Sequence, residues 1–317
     1  MAFDYCKTVR FFLPKASEVT KGESMKPIVP PATDSSEVDE AGHGSARSTS
    51  GTDGVVDVPP DLLQASLTLE GRAGSERDYF DELVEATGES WWGHGTRAGK
   101  HRLARRGQIV AACLPLGPGY SVLEIGAGAG ALTLAVLAAG PAARLTVTDV
   151  SPRSLEALKQ RAAQYANLQY EVQDGVALTY ADRSFDAVIG NSILHHLSPQ
   201  RCLGELFRVL RPGGSLLFFE PNQLNPQVAF EKTLGRLLMA KAIEVSPTER
   251  TFSRWTYARY LRDSGFGSVR VKPFDFVHPI TPRMAVGLVD ALGRFVEHVP
   301  VLREISGSLL LQAERPE

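Results

Sequence analysis

Glu124, Gly126, Gly128 and Gly130 stand at alternate positions of Val122-Leu123-Glu124-Ile125-Gly126-Ala127-Gly128-Ala129-Gly130-Ala131, where an apolar run stops in a glycine loop and restarts as a helix. Glycines at this spacing permit positive φ and let a ligand lie on bare backbone where a Cβ would block it. The chemistry is that of holding a nucleotide-like molecule, and two templates fit. Gly126-x-Gly128-x-x-Ala131 matches a dinucleotide fingerprint, with Asp149 downstream to bind ribose hydroxyls. Glu124 favours the other template, because a carboxylate behind the loop repels a pyrophosphate but orients the ammonium of an amino-acid moiety. A strand-helix turn with no ligand is the plain alternative to both. Titratable residues recur further on, as His195 and His196 in Asn191-Ser192-Ile193-Leu194-His195-His196-Leu197 and as Glu220 in Glu220-Pro221-Asn222. An imidazole there can take a proton from a hydroxyl or carbon acid, and Glu220 can orient an amine or hydroxyl. Packing is the alternative for the histidines and a cap for Glu220.

These residues need a scaffold that brings strand ends together. Short Val-, Ile- and Leu-rich runs at Val122–Ile125, Leu145–Thr148, Leu168–Val172, Phe185–Ile189 and Ser215–Phe219 read as strands buried on both faces. Helical patterns lie between them. Ser151-Pro152 and Ser198-Pro199 each place a capping hydroxyl before a proline at a first helical position. Leu203, Leu206, Phe207 and Leu210 form one helix face, stopped by Arg211-Pro212-Gly213-Gly214. Successive βα units of this length imply a doubly wound α/β fold with a parallel sheet and right-handed crossovers.

The flanks are less regular. Ser17 to Asp61 is rich in Ser, Thr, Gly, Pro and Asp and lacks apolar periodicity, so residues 1–75 are expected to be a disordered tail and 76–317 the folded domain. Trp91 and Trp92, flanked by glycines, suit half-core packing or closure over a ligand. The basic run from Arg97 to Arg106 reads as a solvated helix face or as an electropositive rim for an acidic substrate. Beyond Glu220, helical patterns over about 223–264 and 277–305 are candidates for a lid, with strands at Val269–Phe274 and Leu309–Ala313. Their aromatic and aliphatic content suggests a small or medium-sized, partly apolar acceptor.

With 43% hydrophobic and 22% charged residues, the 317-residue chain is expected to be globular and to bury a sizeable core. A net charge of -2 gives no global reason to expect nucleic-acid or membrane-surface binding. No apolar run approaches the roughly 18–20 residues of a membrane span. Cys6, Cys113 and Cys202 are scattered without a CxxC, which argues against a disulfide scaffold or zinc ribbon and for a cytoplasmic protein with no metal site.

Over about Ser121 to Asn222 the order of residues resembles the class I S-adenosylmethionine-dependent methyltransferases. The match consists of Glu124-Ile125-Gly126-Ala127-Gly128-Ala129-Gly130, Asp149-Val150, Gln173-Asp174-Gly175, Ser184-Phe185-Asp186-Ala187-Val188 and Leu210-Arg211-Pro212-Gly213-Gly214-Ser215-Leu216. The resemblance implies a Rossmann-like, mostly parallel seven-stranded sheet with an antiparallel last strand, and S-adenosylmethionine as cofactor. Gly126, Ala127, Gly128 and Gly130 would then pass beneath the methionine part and ribose. Asp149 would bind the ribose hydroxyls and Asp174 the adenine amine, with Val150 and Gly175 lining the adenine. Asn191 and Ser192 would approach the reactive sulfonium. Helix capping is the alternative for Asp149 and Asp174, and a structural turn contact is expected of Asp186. The implied reaction is methyl transfer to O, N or C of a small molecule. A peptide or protein acceptor, a non-catalytic cofactor-binding protein and a dehydrogenase are the alternatives. No string of the kind nucleic-acid methyltransferases carry after the fourth strand is present, so no nucleic-acid partner is expected.

Overall fold

The computed structural model describes residues 77–78, 81, 93–230 and 251–317. The expected tail over 1–75, the Trp91-Trp92 pair and residues 231–250 of the expected lid lie outside the described residues. Seven strands form one sheet: β1 (Ser121–Ile125), β2 (Arg144–Asp149), β3 (Leu168–Val172), β4 (Phe185–Asn191), β5 (Leu210–Pro221), β6 (Gly267–Phe274) and β7 (Ser308–Glu314). Their order is β3-β2-β1-β4-β5-β7-β6. Neighbours from β3 to β5 pair in parallel, and β7 runs antiparallel to both β5 and β6. The expected Rossmann-like sheet with its antiparallel last strand is therefore present.

The helices are α1 (Arg97–Cys113), α2 (Ala131–Leu137), α3 (Pro152–Arg161), α4 (Pro199–Val209), α5 (Pro226–Phe230), α6 (Arg254–Asp263) and α7 (Val286–Val296). Alternation along β1 divides the interior. Val122 joins Leu145, Val147, Ile189 and Phe219 under Ile109 and Val110 of α1, Leu132 and Val136 of α2 and Leu158 of α3. Leu123 and Ile125 join Val188, Phe218 and Leu311 under Leu203 and Leu206 of α4 and Tyr257 and Leu261 of α6. Helix α6 thus belongs to the layer covering the sheet, although its residues fall within the span expected to form a lid.

Two local expectations change and one holds. The Ser151 hydroxyl accepts the Ser154 amide at 3.0 Å, as a cap should, but Ser198 makes no such bond, and α4 starts on the fixed φ of Pro199 alone. Strand β5 begins at Leu210, not Ser215, so Leu210 belongs to the sheet. The Pro-Gly-Gly turn is drawn into the strand because Gly213 donates to the Arg315 carbonyl and Arg315 to the Gly214 carbonyl, both at 2.8 Å. Asp186 makes the turn contact expected of it, accepting the Ser121 amide at 2.8 Å and pairing with Arg211.

Candidate active site

Strand order reverses between β1 and β4, and in a doubly wound sheet such a switch point opens a crevice at the carboxyl ends of the strands. A cavity of about 740 Å³ lies there. One half of its wall comes from the ends of β1, β2 and β3. Glu124, only 1% exposed, lies on the face of β1 that meets α2, where Thr133 donates to its carboxylate at 2.8 Å. Burial, with Asp149 nearby, pushes the Glu124 carboxyl up to about 7. Gly126, Gly128 and Gly130 all have positive φ. A Cβ on Gly130 would sit 2.2 Å from Leu158, whereas a Cβ on Gly128 would meet nothing within 4 Å. The first glycine is required by packing and the second leaves its space to the cavity. Asp149 accepts the Gly128 amide at 2.8 Å and the Ser151 amide at 2.9 Å, yet burial holds its carboxyl above the usual range. It therefore ties loop to strand and caps the following turn while lining the cavity. Asp174 accepts the Val176 amide at 3.1 Å and also lines the wall, with Val150 and Gly175 beside it.

The other half is built from the ends of β4, β5 and β7 and from α1. Asn191 ends β4, and Ser192 follows with φ of 56°, bending the chain into the histidines. His195 and His196 both line the cavity, their rings 4.1 Å apart. Glu220 does not line it. Its carboxylate, 1% exposed, accepts the amides of Ile193 at 3.0 Å and Leu194 at 2.9 Å. It also meets His195 Nδ1 at 2.8 Å and accepts the Tyr257 hydroxyl at 3.3 Å. Glu220 orients this loop from behind, and His195 Nδ1 faces it as the donor, which turns Nε2 into the proton-accepting nitrogen.

The basic run divides: Arg97 and Lys100 are exposed, as on a solvated face, whereas its end turns inward. Arg105 and Arg106 are each only 5% exposed. Arg105 grips Glu297 with two bonds of 2.8 and 2.7 Å, and the same carboxylate accepts the Asp275 amide at 2.8 Å. Arg102 donates to Asp275 at 2.8 Å. Arg106 donates to Asn191 and, at 2.9 Å, to Ser308. Burial and the neighbouring Arg102 lower the Arg106 guanidinium to about 9. His94, which also lines the cavity, is lowered to about 4 by burial and by Arg106, Arg102 and Arg161, so its ring is neutral at pH 7.

Arg102, Arg106, Asp275 and Ser308 line the cavity although the sequence did not single them out as site residues. The spacing of Arg102 and Arg106, one helical turn apart in a run already conspicuous for charge, was the available signal. Nothing local marked Asp275 or Ser308. Within the 277–305 span, Val277 and His278 line the cavity. Val286 and Val289 of α7 pack on Ala98 and Val277. Leu288, Leu292 and Phe295 point outward at 65%, 57% and 71% exposure. Among the described residues no group of His, Cys, Asp or Glu is arranged to hold a metal ion, and no helix is long and apolar enough to cross a membrane.

Comparison with known proteins agrees with this geometry. Residues 122–214 match the family model described as a methyltransferase domain. An uncharacterised protein of Mycobacterium tuberculosis is 36% identical over 140 residues, 43% of this chain and 50% of its own length, so the chain spans about half of that relative. The ubiquinone/menaquinone biosynthesis C-methyltransferase UbiE of Cereibacter sphaeroides is 32% identical over 178 residues, 49% of this chain and 69% of its own. Among solved structures, phosphoethanolamine N-methyltransferase 2 of Haemonchus contortus, in complex with S-adenosyl-L-methionine, shares the fold with a TM-score of 0.54 at 16% identity, over 76% of this chain and 60% of that one. A glycine loop with a buried acid behind it, acids at the ends of the next two strands and these likenesses converge: the chain belongs to the class I S-adenosylmethionine-dependent methyltransferases.

Proposed function

We propose that the protein transfers the methyl group of S-adenosylmethionine to a nucleophilic atom of a small, partly apolar acceptor. The observation that carries this reading is the open space over Gly128, which a Cβ would fill, bounded by Glu124 and Asp149 and continuous with a second half of the same cavity beyond Asn191. The residues fit the cofactor. Glu124 and the loop would receive the amino-acid end, Asp149 the ribose and Asp174 the adenine, and Asn191 and Ser192 would then approach the reactive sulfonium.

The bound cofactor supplies an electrophilic methyl carbon, so the protein's work is alignment, exclusion of water and handling of the acceptor's proton. The buried Glu220 carboxylate holds His195 by Nδ1 and raises the basicity of its other nitrogen, suiting His195 to take that proton. His196 packs against it and shapes the wall. The relative from Cereibacter sphaeroides is named for carbon methylation in quinone biosynthesis. We extend that class to this chain: the acceptor atom is a ring or enol carbon beside an ionisable oxygen.

Thermal unfolding with S-adenosylmethionine, S-adenosylhomocysteine or NAD tests the reading. A ligand at a hundred times its dissociation constant adds about 2.7 kcal/mol of stability. Stabilisation by the first two and not by NAD is expected, and the reverse would overturn it. Methyl-labelled cofactor offered with small-molecule and macromolecular extract fractions should label the small-molecule fraction.

A further inference from the structure

Helix α1 carries two guanidinium groups into the acceptor half of the cavity. Arg106 spans from Asn191, at the end of β4, to Ser308, at the start of β7, with its guanidinium carbon 5.5 Å from the centre of the Phe219 ring of β5. It therefore sits over the β4–β5–β7 edge, across the sheet from the strand ends β1, β2 and β3 that would receive the cofactor. Its Nε has no hydrogen-bond partner among the described residues, although the side chain is buried. Arg102 lies one turn earlier, also bonded to Ser308, at 3.3 Å. Asp275 is the carboxylate lining this half among the described residues, 2.8 Å from Arg102 and 3.8 Å from Arg106. Glu220, buried behind the wall, also acts on the Arg106 charge, so two carboxylates face the two guanidiniums, and of these Asp275 is the one that lines the cavity. Burial, ahead of the neighbouring Arg102, lowers the Arg106 guanidinium, and an anionic group arriving in the cavity would offset that cost. A sulfonium placed at Asn191 would add a positive charge facing the same space.

We propose that Arg106 and Arg102 form the acceptor's oxyanion site, which selects acceptors presenting a single anionic oxygen, a phenolate or enolate, next to the atom that receives the methyl group. This inference rests on the methyltransferase reading and names its substrate class. Two guanidiniums already met by carboxylates suit a single anionic oxygen; a phosphate dianion would need another cation beside these two. The buried Phe219 ring backs the guanidinium, and a planar guanidinium itself suits a flat, conjugated acceptor. The guanidiniums act as positioning and charge-balancing groups, holding the acceptor ionised and its nucleophilic carbon toward the methyl donor.

The test uses 4-nitrophenol, whose phenolate is coloured and whose neutral form is not, against 4-nitroanisole, a near-isostere that cannot ionise. Both are titrated into the full-length protein saturated with S-adenosylhomocysteine. The expected result is a preference of about tenfold or more for the phenolate, the range of a hydrogen bond to a charged group, with the apparent pKa of bound nitrophenol lowered. Arg106→Met and Arg102→Met should each erase most of that preference while S-adenosylhomocysteine binds within about twofold of wild type, and Arg106→Lys should keep part of it. Should Arg106→Met fail to fold, the wild-type comparison and Arg102→Met still decide. Equal binding of the two probes by wild type overturns the inference and leaves the methyltransferase reading intact. Loss of S-adenosylhomocysteine affinity in Arg106→Met, with the phenolate preference retained, also overturns it by assigning the guanidinium to the cofactor's carboxylate. Failure of wild type to bind S-adenosylhomocysteine overturns the underlying reading itself.

Discussion

The affinity for the cofactor should fall steeply below neutral pH, and Glu124 should be the reason. Its carboxyl titrates at about 7 in the folded protein against an ordinary value of 4.5, because burial penalises the charge and one Thr133 hydroxyl offsets it only in part. An ammonium brought beside it favours the ionised form, so binding expels the proton wherever Glu124 is still protonated. Each pH unit below that pKa then costs about tenfold in affinity, and S-adenosylhomocysteine should bind about tenfold more weakly at pH 6 than at pH 8. Asp149, also raised by burial, contributes with the same sign, while His94, lowered to about 4, stays neutral across this window. Calorimetric titration in buffers of different ionisation heat should detect about half a proton released per ligand at pH 7. Glu124→Gln should bind weakly at both pH values and lose most of the dependence. The same shift acts on stability with the opposite sense. The folded protein holds the proton more tightly than the unfolded chain, so unliganded stability should decline as pH rises from about 4.5 to about 7, and Glu124→Gln should melt higher than wild type at pH 8. A flat affinity profile between pH 6 and 8, or an unchanged slope in Glu124→Gln, would refute the assignment.

Substitutions at two glycines of one loop should separate binding from folding. Gly128→Val should abolish cofactor binding with little loss of stability beyond the strain of its positive φ, whereas Gly130→Val should drive into Leu158 and destabilise by about 1–3 kcal/mol, read by denaturant titration. Glu220→Gln should keep the fold but remove the charge that supports His195, moving the acid limb of the kcat profile to lower pH and reducing kcat; an unmoved limb would make Glu220 purely structural. Leu292→Lys, on the outward face of α7, should leave both the melting temperature and the acceptor KM unchanged, with a stability change within about 0.5 kcal/mol. A raised KM there would instead restore α7 as a lid element.

How much of this was legible in the sequence follows from the range of the interactions involved. The strand-helix rhythm, the glycine loop and the acids at strand ends were readable because each depends on residues within a few positions and on a sheet that stacks consecutive units side by side. Glu124 was legible as an acid behind a glycine loop, but its raised pKa needed α2 packed over it. Glu220 looked like a substrate-facing carboxylate because it ends a strand at the crevice. Its actual partners, Ile193, Leu194, His195 and Tyr257, approach from a loop and a helix that the pattern could not place. Arg105 and Arg106 looked like surface charge for the same reason, since Glu297, Asp275 and Ser308 reach them from the far end of the chain.

That difference in range divides the two halves of the site functionally as well. The donor half is fixed by hydrogen bonds between adjacent strands, so the positions of Gly128, Asp149 and Asp174 follow from the register of β1, β2 and β3. The acceptor half depends on α1 being tied across the cavity to β6, α7 and β7. Asp275 is central to that tie. It adopts a φ of 71° without being a glycine, held there by its amide on Glu297 and its carboxylate under Arg102, and such a conformation costs on the order of 1–3 kcal/mol unless its surroundings fix it. Arg105 secures Glu297, so the strain at Asp275 and the placement of Arg106 share one support. Changes along the face of α1, or at its partners on β6 and α7, can therefore move the guanidiniums that meet the acceptor while the glycine loop and its acids stay in register. Acceptor choice can thus diverge on this scaffold without cost to the grip on the methyl donor.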